Sequence, residues 1–189
     1  MIVYLHGFNS SPQSNKAQVL GAFMRKRGLA HRYACPALPP RAEAAVRAIE
    51  SSVRRGDELC FVGSSLGGFY ATHFAETLGA RAVLINPAIE PHIGLRAYLG
   101  PQKNLYTGES YELTEAHLRQ WQRLVVPHIT PNRYLLLVET GDEVLDYRQA
   151  VQRYAGCEQV VVSGGDHSLK SFPEHLARIL EFAGHAASL

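Results

Sequence analysis

The sequence predicts an α/β protein: a parallel sheet of about six strands with helices on both faces. Short apolar runs such as Ile2–Leu5 and Tyr134–Val138 lack the polar alternation of a half-exposed strand, as expected of strands buried on both faces. Between them lie stretches with apolar residues at helical spacing, several closed by a glycine. Strand and helix alternate along most of the chain, and right-handed crossovers then make the strands parallel.

The first strand, Ile2–Leu5, runs into the loop His6-Gly7-Phe8-Asn9-Ser10-Ser11-Pro12. A helix over about 14–27 gathers Val19, Leu20, Phe23 and Met24 on one side and stops at Gly28. His31–Cys35 reads as the second strand, closed by Pro36, and Leu38-Pro39-Pro40 as a loop. The next helix, about 41–55, has Val46, Ile49 and Val53 as its stripe and Gly56 as its stop. Arg25-Lys26-Arg27 and Arg54-Arg55 fall in the last turns of these helices, where cations complement the helix dipole. The third strand ends at Gly63 and the helix after it carries Leu66, Phe69, Tyr70 and Phe74 on one face. Ala82–Ile85 is a fourth strand, stopped by Asn86-Pro87. Residues 88–131 break the rhythm, with Tyr98, Tyr106, Tyr111, Trp121 and one helix at about 114–124. An insertion of that length inside a compact domain is usually functional, and a lid or pocket wall is the expected role. Tyr134–Val138 and Gln159–Val162 complete the strands, with a helix through about Tyr154 between them and a last helix that begins at Pro173.

At 189 residues and 46% hydrophobic, the chain can bury the core of one domain spanning 1–189. A net charge of +2 gives no reason to expect nucleic acid or an anionic membrane as partner. No apolar run approaches the length of a membrane span, and the chain enters its first strand without room for a signal peptide. Cys35, Cys60 and Cys157, odd in number and placed in strands, read as free thiols of a reducing compartment. The expected location is cytoplasmic.

The chemistry concentrates at Gly63-Ser64-Ser65-Leu66-Gly67-Gly68, between strand and helix. Gly63-x-Ser65-x-Gly67 is the nucleophile-elbow pattern in the context it requires. A serine on so sharp a turn brings its second neighbours on either side together, and only glycine fits there. A phosphate-binding loop would need Lys and Ser or Thr where Phe69 and Tyr70 stand, and no dinucleotide glycine register fits. No H-E-x-x-H or C-x-x-C occurs, so neither a metal nor another cofactor is expected. In parallel sheets ligands bind at the carboxyl ends of strands, and the loops there supply Gly7 and Phe8, Ser65, Asp142 or Asp146, and His167. These are the parts of an acyl-transfer site. His167 in its glycine-rich loop is the base for Ser65, and Asp142, directly after the fifth strand and its turn, is the acid that orients it, with Asp146 as the alternative. The amides of Phe8 and Leu66 are the expected oxyanion donors. His6 precedes a glycine turn, where shaping the loop is its expected job.

Four stretches, Tyr4-Leu5-His6-Gly7-Phe8-Asn9-Ser10-Ser11-Pro12, Gly63-Ser64-Ser65-Leu66-Gly67-Gly68, Thr140-Gly141-Asp142-Glu143-Val144-Leu145-Asp146-Tyr147 and Gly164-Gly165-Asp166-His167-Ser168, resemble the YqiA-like esterases of the α/β-hydrolase superfamily, in the same order. The resemblance implies a reduced α/β-hydrolase fold lacking the first two strands of larger members. It also implies a triad of Ser65, His167 and an acid in the Gly-Asp-Glu-Val-Leu-Asp stretch. The implied substrate is a small-molecule ester of short acyl chain, or an acyl-coenzyme A thioester whose phosphates Arg96, Lys103 or Arg119 would meet. A hydrolase-fold binding module with a vestigial triad is the third expectation. The shortened sheet leaves an edge that either a monomer tolerates or a homodimer covers.

Overall fold

The computed structural model describes residues 1–54 and 56–185. The chain runs β1 (Ile2–Leu5), α1 (Asn15–Lys26), β2 (Tyr33–Ala34), α2 (Ala42–Ser52), β3 (Cys60–Ser64), α3 (Leu66–Leu78) and β4 (Arg81–Ile85). It continues through α4 (Pro91–Gly94), β5 (Gly100–Lys103), β6 (Ser110–Leu113), α5 (Glu115–Arg123), β7 (Tyr134–Glu139), α6 (Tyr147–Arg153), β8 (Glu158–Val162) and α7 (Leu176–Phe182). Six strands form one sheet in the order β2-β1-β3-β4-β7-β8, and every pairing in it is parallel.

Side chains alternate across the sheet with the period of an extended chain. Val3, Leu5, Phe61, Leu84 and Leu136 pack toward α2 and α3, while Ile2, Tyr4, Val62, Val83 and Leu135 pack toward α1 and α7. Burial of both faces explains the unbroken apolar runs of the central strands. A polar tie anchors α3 to the entry of β7. The Glu76 carboxylate accepts from Thr130 N at 2.7 Å, Thr130 Oγ1 at 2.9 Å, Tyr134 OH at 2.6 Å and Arg133 at 2.9 Å.

Several elements are shorter than the periodicity predicts. His31 and Arg32 lie in a 3-10 turn, Ala30–Arg32, so β2 is an edge strand of two residues paired to β1 alone. An edge strand has one partner to extend it, and Pro36 stands two residues past its end. Helix α2 ends at Ser52, leaving Val53 extended and Arg54 beyond the helix; Arg55 lies outside the described residues. Pro173 lies in the first turn of a 3-10 segment, Phe172–His175, and α7 proper begins at Leu176. All three cysteines are free, but only Cys60 lies in a strand. Among the described residues, no helix is long and apolar enough to cross a membrane.

The insertion holds the expected helix, α5, and also an antiparallel hairpin of β5 and β6 that the sequence does not announce. Gly100-Pro101-Gln102-Lys103 carries no β-branched or aromatic residue, so its strand character comes from pairing rather than propensity. The insertion docks on the loop after β1. Tyr111 OH donates to Asn9 Oδ1 at 2.7 Å, Asn9 Nδ2 to Gln102 Oε1 at 3.1 Å, and Asn104 Nδ2 to Ser10 O at 2.8 Å. Trp121 is fully buried and donates its indole N–H to Tyr70 OH at 2.7 Å, joining α5 to α3.

Backbone packs closely against backbone at the start of α3. A Cβ on Gly67 would stand 1.9 Å from Leu5 O, and one on Gly63 would stand 2.2 Å from Gly67 O. Gly67→Ala is therefore expected to cost at least about 2 kcal/mol, lowering the melting temperature by roughly 4–8 °C. Gly94→Ala, where nothing lies within 4 Å of the added carbon, serves as the matched control. Equal melting temperatures for the two variants by circular dichroism would contradict this packing.

Candidate active site

Strand β3 delivers Ser65 to the carboxyl edge of the sheet and α3 carries the chain away. The turn forces Ser65 to φ 55°, ψ −120°, a region that side chains avoid. Three backbone hydrogen bonds hold it there. Ser65 N donates to Ile85 O at 3.0 Å, while Ser65 O accepts from Gly68 N at 2.9 Å and Ala88 N at 3.0 Å. The loop after β1 passes close by: a Cβ on Gly7 would be 3.3 Å from Ser65 Cβ.

From the loop after β8, His167 turns its Nδ1 to both oxygens of Asp142, at 3.0 and 2.9 Å. A carboxylate accepts only, so Nδ1 carries the proton and Nε2 is the ring nitrogen left for another partner. The Asp142 side chain is 1% exposed and also accepts the amides of Val144 and Leu145, both at 2.9 Å. Burial pushes its carboxyl up, but His167 and these two amides outweigh that and hold it below the usual carboxylate range. Asp146, the alternative acid, instead caps α6: its Oδ1 accepts from Arg148 N at 3.0 Å and Arg148 Nε at 2.8 Å.

Ser65 and His167 line one cavity of about 1300 Å³ at the carboxyl edge of the sheet. No hydrogen bond joins Ser65 Oγ to the imidazole among the described residues. Phe8 and Leu66 line the same cavity. Among the described residues, neither of their amides donates to a protein acceptor, so both N–H groups are free. His6 is buried and shapes the loop beneath. Its Nε2 accepts from Leu38 N at 3.0 Å, and burial lowers its pKa, as befits a neutral ring. The Phe8 ring stacks edge-on against Tyr98 and Trp121, coupling this loop to the insertion.

Two residues that sequence reasoning passed over hold the His167 loop. Asn86 donates from Nδ2 to the carbonyls of Asp166 and His167, both at 3.1 Å, while its Oδ1 accepts Glu139 N at 3.1 Å. Glu139, 1% exposed, accepts the amides of Asp166 at 2.8 Å, Lys170 at 3.0 Å and Ser171 at 2.8 Å. Gly165, at φ 72°, lies so close that a Cβ would stand 1.8 Å from Glu139 Oε2. A signal was present in the sequence: a carboxylate closing the apolar run Tyr134–Val138 is buried, and buried carboxylates require partners.

Burial pushes the Glu139 carboxyl up, but the Ser171, Asp166 and Lys170 donors outweigh it and the net shift is downward. A carboxylate with a lowered folded pKa contributes stability that is fully present above its unfolded pKa and disappears as pH falls through the folded value. Thermal stability is therefore expected to hold from pH 7 to about 5 and to fall steeply below about pH 4. Glu139→Gln removes part of that acid slope and costs about 2 kcal/mol at neutral pH. Melts across that range check this; an acid slope identical in the two proteins would contradict it.

The family model described as "Uncharacterised protein family (UPF0227)" matches residues 1–184. A UPF0227 protein of Pectobacterium carotovorum is 27% identical over 96% of this chain and 98% of its own length. Among solved structures, alpha/beta hydrolase domain-containing protein 10 from mouse superposes with a TM-score of 0.72 at 17% identity, covering 95% of this chain and 87% of that one. A monoacylglycerol lipase of Paleococcus ferrophilus does so at 0.68 and 16% identity, covering 98% and 94%. At such identities the likeness speaks to fold, and the fold is that of the α/β hydrolases. With its parallel sheet, its strained elbow and a family match over nearly its whole length, the chain belongs to UPF0227, the YqiA-like family, and carries a reduced α/β-hydrolase fold.

Proposed function

We propose that the protein is a serine hydrolase that cleaves carboxylic esters through an acyl-enzyme on Ser65. The observation that carries this reading is a strained serine sharing one cavity with an imidazole whose far nitrogen is fixed on a buried carboxylate. Ser65 Oγ attacks the ester carbonyl as His167 Nε2 removes its proton. Asp142 keeps the proton on Nδ1 and stabilises the imidazolium that forms. The free amides of Phe8 and Leu66 receive the negative oxygen of the tetrahedral intermediate. His167 then returns the proton to the leaving alcohol. In the second half-reaction a water attacks the acyl group with the same base. The Ser65–His167 hydrogen bond forms as substrate fills the cavity, since catalytic contacts often tighten only in the bound complex.

The cavity walls suit an apolar acyl group, with Phe8, Ile89, Leu95, Tyr98 and Phe172 among them. Several belong to the insertion 88–131, which acts as a cap over the acyl site. A likeness of fold to a monoacylglycerol lipase adds support for an ester. The same machinery attacks thioesters, but the cations expected to meet a coenzyme's phosphates do not line the cavity: Arg96, Lys103 and Arg119 are absent from its walls, and Arg96 is held by Glu115 in a two-pronged ion pair at 2.6 and 3.2 Å.

A fluorophosphonate is expected to label Ser65, located by peptide mass, and an active preparation unlabelled at Ser65 would refute the proposal. Ser65→Ala is expected to reduce kcat/KM for a p-nitrophenyl ester by at least about 10³-fold, and Asp142→Asn by about 10³–10⁴-fold. Asp146→Asn should stay within about twofold of the parent, as for a surface cap. Equal losses at the two aspartates would contradict the assignment of the acid.

A further inference from the structure

We infer that Glu139 is a positioning residue for His167, acting together with Asn86 as a latch that fixes the imidazole-bearing loop. The inference rests on the nucleophile–imidazole–carboxylate reading above. A histidine on a loop after a strand is free to move, and residues 163–171 contain two glycines in the left-handed region, Gly164 and Gly165. Glu139 removes that freedom from beneath. Its two oxygens accept three amides of the loop, from Asp166 immediately before His167 and from Lys170 and Ser171 beyond it. Asn86 closes the other side by donating to the Asp166 and His167 carbonyls, and it accepts from the Glu139 amide. Both side chains are rigidly based, Glu139 as the last residue of β7 and Asn86 directly after β4 at φ 39°. The latch therefore refers the His167 backbone to two central strands of the sheet that also carries Ser65.

A buried charge is a costly way to hold a loop that neutral contacts can also hold. What it adds is precision: an anion accepting amides makes shorter and stronger hydrogen bonds than a neutral group does. The loop conformation sets where Nε2 lies, and a displacement of about 1 Å in a catalytic group can cost about 10²-fold in rate.

The test compares Glu139→Gln, whose amide turns two donors toward the loop N–H groups, with Asn86→Ala, which removes the latch from the other side and leaves the carboxylate. Glu76→Gln is the control, since Glu76 also serves several donors but lies in the tie between α3 and β7. Rates are taken per active site, counted by stoichiometric fluorophosphonate labelling. Glu139→Gln and Asn86→Ala should each lower kcat about 10–100-fold with KM changed less than about threefold. The low-field proton signal of His167 Nδ1–H should broaden in both. Glu76→Gln should lower the melting temperature while leaving kcat and that signal unchanged. If Glu139→Gln does not fold, Asn86→Ala decides. Wild-type kcat and an unaltered signal in the folded variants would overturn the latch. A wild type unlabelled at Ser65 would instead defeat the esterase reading.

Discussion

The backbone of Ser65 stands at φ 55°, ψ −120°, where side chains are rarely found, and its surroundings hold it there. Such a conformation costs about 1–3 kcal/mol and persists only where neighbours over-determine it. Here β4 accepts the Ser65 amide, Gly68 and Ala88 donate to its carbonyl, and Gly63 and Gly67 let strand and helix approach to backbone contact. The result is a hydroxyl lifted off the sheet into a cavity, with the first amide of α3 beside it. The rest of the structure is legible as support for this turn. The parallel sheet provides rigid strand ends, and the loop after β1 passes within van der Waals range of the serine.

The electrostatics at this edge are built from buried carboxylates that are fully hydrogen-bonded. Asp142 and Glu139 lie on the same segment, and each accepts backbone amides that compensate for the loss of water. They divide the work: Asp142 meets the imidazole itself, Glu139 the backbone that carries it. Each stays ionised over the pH range in which an imidazole can serve as a base. Opposite them, the insertion supplies mostly apolar and aromatic surface to the cavity, tied to the β1 loop through Asn9 and Ser10. Polar machinery and apolar wall thus face each other across one opening.

Much of this arrangement was readable in the sequence, for physical reasons that differ by element. Fully buried strands such as Ile2–Leu5 and Tyr134–Val138 announce themselves because both faces are apolar, and the elbow does because only glycine fits beside so tight a turn. The hairpin Gly100–Lys103 with Ser110–Leu113 was not readable, since its strands are short, mostly polar and stabilised by each other. The short β2 failed for the related reason that an edge strand ends where its single partner stops. At the site, the sequence supplied the residue types and their order and favoured Asp142 while keeping Asp146 as an alternative, because only four residues of loop separate the two. Asn86 and Glu139 were hidden behind their roles as a strand stop and a strand end. Their hydrogen bonds run to a loop some eighty and thirty residues away, beyond any local pattern.

The central claim is that Ser65, His167 and two free amides act together on one ester carbonyl group. Its most direct test is a crystal structure of the protein reacted with an alkyl phosphonate that mimics the tetrahedral intermediate. The account predicts phosphorus bonded to Ser65 Oγ and the phosphonyl oxygen about 2.7–3.1 Å from the amides of Phe8 and Leu66. It also predicts His167 Nε2 within about 2.6–3.2 Å of the serine oxygen. Phosphorus on another residue, or an imidazole still out of reach of Ser65 in the adduct, would contradict it.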